Sequence, residues 1–138
     1  MQKQTYLTPR RILFRGKRMS DGEWMKGFLT ESKTDWHEMK IECWSTRKNG
    51  KPYFESGPVD PVTVGQFTGY LDKDGKEIFE GDICQIGNLK YKVDFRRSRW
   101  QFTIVSTGQY VCRLFPLSCG EHCTIIGNVY DDPEYLLR

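Results

Sequence analysis

Beyond residue 86, apolar and polar side chains alternate one for one. Leu89, Tyr91, Val93 and Phe95 fall on one parity, and Lys90, Lys92 and Asp94 on the other, the period of a half-buried strand. Arg96-Arg97-Ser98-Arg99 interrupts the run as a turn. Trp100, Phe102 and Ile104 resume it, Ser106-Thr107-Gly108-Gln109 turns again, and Tyr110, Cys112 and Leu114 follow. Upstream, residues 64–71 and 76–79 flank the polar tetrad Asp72-Lys73-Asp74-Gly75, and Asp-Gly suits a hairpin because glycine takes positive φ freely. Glu80-Gly81-Asp82 then opens a strand over 83–86, and Gly87-Asn88 is a two-residue turn. This meander predicts a mainly β fold of coiled antiparallel sheets with a small barrel in the C-terminal half. Phe67, Ile78, Ile83, Leu89, Tyr91, Val93, Trp100, Phe102 and Ile104 are expected to line one interior.

The first half is less regular. Ile12-Leu13-Phe14 reads as a first strand, residues 19–23 as a turn with Asp21-Gly22 at its tip, and residues 24–29 as the returning strand. Residues 35–44 alternate, with Trp36, Glu38, Lys40 and Glu42 on one parity and His37, Met39, Ile41 and Cys43 on the other. Asn49-Gly50 is a hairpin turn from which Tyr53-Phe54 returns. Gly57-Pro58-Val59-Asp60-Pro61 is expected to break the ladder, since proline has no N–H to give it. Asp60-Pro61 also fits the start of one helical turn, with an N-cap and proline at the first position. Gly127 suggests a bulge in a last strand over 124–130. Asp132-Pro133-Glu134 begins a closing helical turn that docks Leu136 and Leu137.

Composition narrows the class. At 138 residues the chain is one domain's worth, residues 1–61 supplying hairpins and a connecting segment and 62–138 the barrel-like part. Aromatics at 14% compensate for a hydrophobic content of 38%, because each buries a large area. A net charge of +3 does not by itself imply nucleic acid. No transmembrane run or secretory leader is visible, so no membrane role is expected. Five cysteines, an odd number without a regular framework, suggest reduced thiols in a cytosol.

Candidate chemistry is sparse. Cys112, Cys119, His122 and Cys123 have the residue types of a zinc site, but the spacing lacks paired C-x2-C knuckles and ordinary thiols are the simpler reading. His37 and His122 have no glycine-framed nucleophile near them in sequence. Aligning Gly75 with the glycine of a calcium loop puts Tyr70 and Gly81 at ligand positions, so that reading fails. No catalytic residue, cofactor or metal ligand is assigned. The best binding patch is Lys90, Lys92, Arg96, Arg97, Arg99 and Trp100, where arginine can grip phosphate and an aromatic can stack a base. The alternative is an edge strand guarded by charge. Residues 1–20 carry Lys3, Arg10, Arg11, Arg15, Lys17 and Arg18 without an acid, either a phosphate-contacting arm or the solvated face of a hairpin.

Val59-Asp60-Pro61, Thr63-Val64-Gly65-Gln66-Phe67-Thr68-Gly69 and the run from Asp72 to Ile83 resemble the signature of the YopX family, small proteins of bacteriophages, prophages and bacteria. The chain departs from it at Tyr70, Leu71, Asp74 and Phe79. Residues 11–17 with Gly22-Glu23-Trp24, and residues 125–136, resemble the family's opening and closing segments. The resemblance implies a β-rich fold containing an SH3-like barrel in the C-terminal half, and no established activity. Gly69, Asp74, Gly75, Glu80, Gly81 and Asp82 of the signature are assigned a backbone-shaping role. The expectation is a non-enzymatic binding or assembly module in the bacterial host cytosol, with a protein partner or a homo-oligomer. The alternative is a weak nucleic-acid binder using loop 96–99 and the basic N-terminal hairpin.

Overall fold

The structure, a computed structural model, describes residues 11–32, 38–96, 98–105, 110–112 and 123–136, with 110–112 described by their backbone course. It is mainly β, and its ladders are antiparallel. The chain forms two compact units, one of Ile12–Gln66 and one that takes in Arg11 and the chain from Phe67 onward.

The first unit contains β1 (Phe14–Lys17), β2 (Trp24–Glu31), β3 (Met39–Thr46), β4 (Pro52–Val59), a 3-10 turn at Pro61–Thr63 and the start of β5 (Gly65–Leu71). β1 pairs with both β2 and β5. β2 changes partner along its length: residues 24–27 pair with β1 and residues 28–31 with β3. Gly27 sits at the changeover, where a Cβ would lie 2.2 Å from the carbonyl oxygen of Glu42. Only glycine lets the two backbones approach so closely. Met25, Ile41 and Val59 form the buried core, with Leu29, Met39, Cys43 and Val64 packed against it.

Two local expectations meet different outcomes here. Asp60 caps the 3-10 turn by accepting from the N–H of Val62 at 3.1 Å, with Pro61 in the first turn. Residues 57–59 do not break the ladder; β4 runs to Val59 in register with β3. Met19 N–H donates to the Pro58 carbonyl at 2.9 Å, so the backbone edge of Pro58 faces away from β3. A residue's N and C=O project to the same side of a strand, and the missing N–H therefore costs the β3–β4 ladder nothing.

In the second unit β5 continues and pairs with β6 (Glu77–Phe79). β7 (Asp82–Ile86), β8 (Leu89–Arg96), β9 (Arg99–Ile104), β10 (Tyr110–Cys112) and β11 (Thr124–Asn128) form a sheet ordered β10-β9-β8-β7-β11. Its edge strands β10 and β11 do not pair among the described residues, so the sheet is open and not a closed barrel. A 3-10 turn at Pro133–Leu136 follows, as the Asp-Pro-Glu start predicts. Leu136 is 41% exposed and does not dock; Leu137 lies outside the described residues. The ring of Tyr135 instead approaches Gly127, where a Cβ would come within 3.2 Å of it. The β11–β7 register shifts between Ile125 and Gly127, the expected bulge.

The core of this unit is Ile78, Cys84, Tyr91, Val93, Phe102 and Cys123, with Tyr70, Ile86, Trp100, Ile104 and Ile125 packed against it. Two expected members behave otherwise. Leu89 is about half exposed, at 47%, because it stands at the start of β8; Phe95, of the same parity, is 50% exposed near the strand's other end. Ile83 is fully buried but pairs directly with Lys92, so it lies on the opposite face of the sheet from Tyr91 and Val93. Cys84, opposite Tyr91, takes the interior place.

Candidate functional site

The signature hairpin is built around Asp72. Its Oδ1 accepts from the N–H of Asp74 at 2.8 Å and of Lys76 at 2.9 Å, and its Oδ2 from the N–H of Ile125 at 3.1 Å. Asp72 is 5% exposed, and the Lys73 N–H donates to the Cys123 carbonyl at 3.0 Å. One carboxylate thus closes the β5–β6 turn and ties it to the start of β11. Gly75 follows at φ +82°, as a turn ending in Asp-Gly requires.

A second acid of the motif, Asp82, acts alike. Asp82 is buried and accepts from the N–H of Phe79 at 2.7 Å across the Glu80-Gly81 corner. Gly81 has φ +91°, its N–H donates to the Val93 carbonyl, and its own carbonyl accepts from Val129. Glu80 is half-buried in the same corner. Gly69, also at φ +91°, lies where the β5–β6 register shifts. At the chain's end the Asn128 side chain accepts from the N–H groups of Tyr130 and Asp131, and Asp132 accepts from the N–H of Asn128. Asp72, Asp82, Asn128 and Asp132 thus each hold a turn through backbone N–H groups.

The basic patch is only partly assembled. Lys90, Lys92, Asp94 and Arg96 share one face of β8, and Arg99 stands opposite Arg96. Lys92 Nζ lies 3.5 Å and Arg96 Nε 3.9 Å from Asp94, which also accepts from the Thr103 hydroxyl at 2.8 Å. Asp94 therefore offsets much of the charge beside it. Trp100 pairs with Phe95 on the other face, their rings edge to face at 4.8 Å. The cations and the tryptophan are on opposite sides of the hairpin. Arg97 lies outside the described residues.

The thiols divide in the same way. Cys84 and Cys123 are both fully buried, and hydrogen bonding to Cys123, followed by burial, pushes the Cys84 thiol well above its ordinary range. A thiol so held is a core group and no nucleophile. Cys119 and His122 lie outside the described residues. Among the described residues no group of three or more His, Cys, Asp or Glu side chains gathers to hold a metal.

A second surface, unmarked in the sequence reading, lies on the first unit. Phe28 is 67% exposed, Trp44 69% and Phe54 52%. Phe28 stands opposite Glu42, and Trp44 opposite Phe54, so all three share the face turned away from Ile41. The Trp44 and Phe54 rings meet edge to face at 5.6 Å. On the same parity of β1 and β2, Trp24 is flanked by the Arg15 guanidinium at 4.7 Å and Lys17 Nζ at 5.5 Å from its ring centre. The signal was available: Trp44 continues the parity of Lys40 and Glu42, and a tryptophan among charged positions points outward.

A family model described as "YopX protein" matches residues 13–137. The chain belongs to the YopX family. Protein EF1440 from Enterococcus faecalis, known from a crystal structure, has a similar fold: TM-score 0.58 at 20% identity, covering 91% of this chain and 98% of that one. No curated protein matches this chain. No helix among the described residues is long and apolar enough to cross a membrane.

Proposed function

We propose that this YopX-family protein is a binding module without chemistry of its own, acting in the cytosol of a bacterium that carries a phage or prophage. The observation that carries this reading is the use of the signature's carboxylates. Asp72 satisfies three backbone N–H groups and Asp82 one, while large apolar groups stand exposed on the first unit. We also infer that the SH3-like element expected of the family lies in that unit. A second strand shared between two ladders and a 3-10 turn between β4 and β5 support this. Such folds host many functions, so the surface and not the fold must name the partner.

Two partner classes fit: another protein, including a second copy, or nucleic acid. The aromatic face with cations beside it favours the second. Loop 96–99 with the basic N-terminal hairpin remains the other nucleic-acid surface to test. A pull-down from phage-infected or prophage-carrying cells, with and without nuclease, separates the classes. A hydrolytic activity abolished by Glu80→Gln at an unchanged melting temperature would replace the module with an enzyme.

A further inference from the structure

Resting on the binding-module reading, we propose that the outward face of β1–β4 is a platform for single-stranded nucleic acid. In an antiparallel pair, directly opposite residues share a face. The registers Arg15↔Lys26 and Lys17↔Trp24, Phe28↔Glu42, and Trp44↔Phe54 therefore put one parity of each strand outside. Met25, Ile41 and Val59 hold the other parity in the core. Outside stand the aromatics Trp24, Phe28, Trp44 and Phe54.

Charge names the occupant. The same strand positions carry Arg15, Lys17, Lys26 and Lys40 against one acid, Glu42; Lys40 also meets Glu38 at 3.4 Å, both well exposed, a contact that salt and solvent weaken. A second copy of this chain would set these cations against their own kind, and like charges across an interface repel. A ligand with regularly spaced anions and planar apolar groups answers both features. Single-stranded nucleic acid is that ligand: bases stack on exposed rings with little regard to sequence, while phosphates follow the cations. Trp44 and Phe54, packed edge to face, leave a ring face open for stacking. Phe28 lies diagonally across the β2–β3 ladder from Trp44, about 7–8 Å between backbones. A duplex keeps its bases stacked inside and offers this face phosphate alone.

The test uses the purified full chain and fluorescein-labelled oligodeoxythymidylate and oligouridylate of about 16 nucleotides, beside a duplex of equal length. Anisotropy is expected to show tighter binding to the single strands than to the duplex. Trp44→Ala with Phe54→Ala should weaken single-strand binding about tenfold or more. Both side chains are exposed, and a matching melting curve confirms that the variant is folded. Lys26→Gln with Lys40→Gln should flatten the salt dependence by about 0.7 per cation removed. Arg96→Gln with Arg99→Gln should leave binding in place. Equal affinity for duplex, or loss confined to the Arg96/Arg99 variant, overturns the proposal and moves the site to the hairpin tip. A wild-type dimer that Trp44→Ala makes monomeric gives the face to a second copy, leaving the module reading intact. No binding to any probe, with a monomeric chain, overturns the platform alone; the nuclease-controlled pull-down judges the module separately.

Discussion

Asp72 puts both carboxylate oxygens on backbone N–H groups while almost fully buried. Asp72→Asn exchanges one acceptor for a donor. The flipped amide must then face either Ile125 N–H or the pair from Asp74 and Lys76, leaving a buried donor unsatisfied at a cost of about 1–3 kcal/mol. Urea denaturation should show that loss; an unchanged midpoint would mean the carboxylate does not hold the turn. Asp21 supports a pH prediction. The Glu23 N–H first, then Arg18, hold its carboxyl below the ordinary 3.8. A depressed folded-state value means that its contribution is present above about pH 4 and lost as pH falls through the lower folded value. An NMR titration of the Glu23 amide should report that midpoint, and one at or above 3.8 would contradict the hydrogen bond. For Cys84 the sign is opposite, because its thiol is raised from 9.0. Its contribution is complete below pH 9 and declines as pH rises and the unfolded thiol ionises. Cys84 and Cys123 should resist alkylation in the native state, while half-buried Cys43 reacts sooner.

At the scale of the element, glycines decide where strands may cross or turn. A Cβ at Gly27 would meet the backbone of Glu42, not a side chain that could swing away. Gly27→Ala must push β2 from β3 at the point where β2 changes partner, a cost of about 1–3 kcal/mol. Gly75→Val places a β-branched residue at φ +82° and should destabilise the β5–β6 hairpin by about 1–3 kcal/mol. Thermal melts of both variants check this pair; wild-type values would show that the strands have slack. Much of this was legible beforehand. Asp74-Gly75, Asn49-Gly50 and Asp132-Pro133 act within a few residues of themselves, so local chemistry suffices to read them. The continuity of β4 through Pro58 is not legible locally, because the direction of its backbone edge depends on Met19, 39 positions away in the chain.

For the whole molecule, each unit has its own buried cluster. Phe102 is 1% exposed and packs against Tyr91 with ring centres 5.4 Å apart. Phe102→Ala should cost about 3–5 kcal/mol through lost transfer energy and a cavity. Leu89→Ala, at the exposed end of β8, should stay within about 0.5 kcal/mol. Chemical denaturation of the two variants tests the assignment of the interior directly. Equal losses would restore Leu89 to it.

Period-2 alternation, Asp-Gly and Asn-Gly turns and the proline-led closing turn are local properties of the chain. By themselves they determined that the protein is mainly β and where most hairpins turn, but not that Asp72 is the carboxylate that closes the signature hairpin. The YopX resemblance was legible for the same reason, since its motif is continuous from Thr63 to Ile83 but for a few substitutions. The tertiary structure alone decided which parity faces inward where both carry apolar side chains, as with Ile83 and Cys84. It also decided that Phe28, Trp44 and Phe54 meet on one exposed face. Alternation assigns a side chain to one of two faces. What covers a face depends on strands distant in sequence, and burial follows the cover.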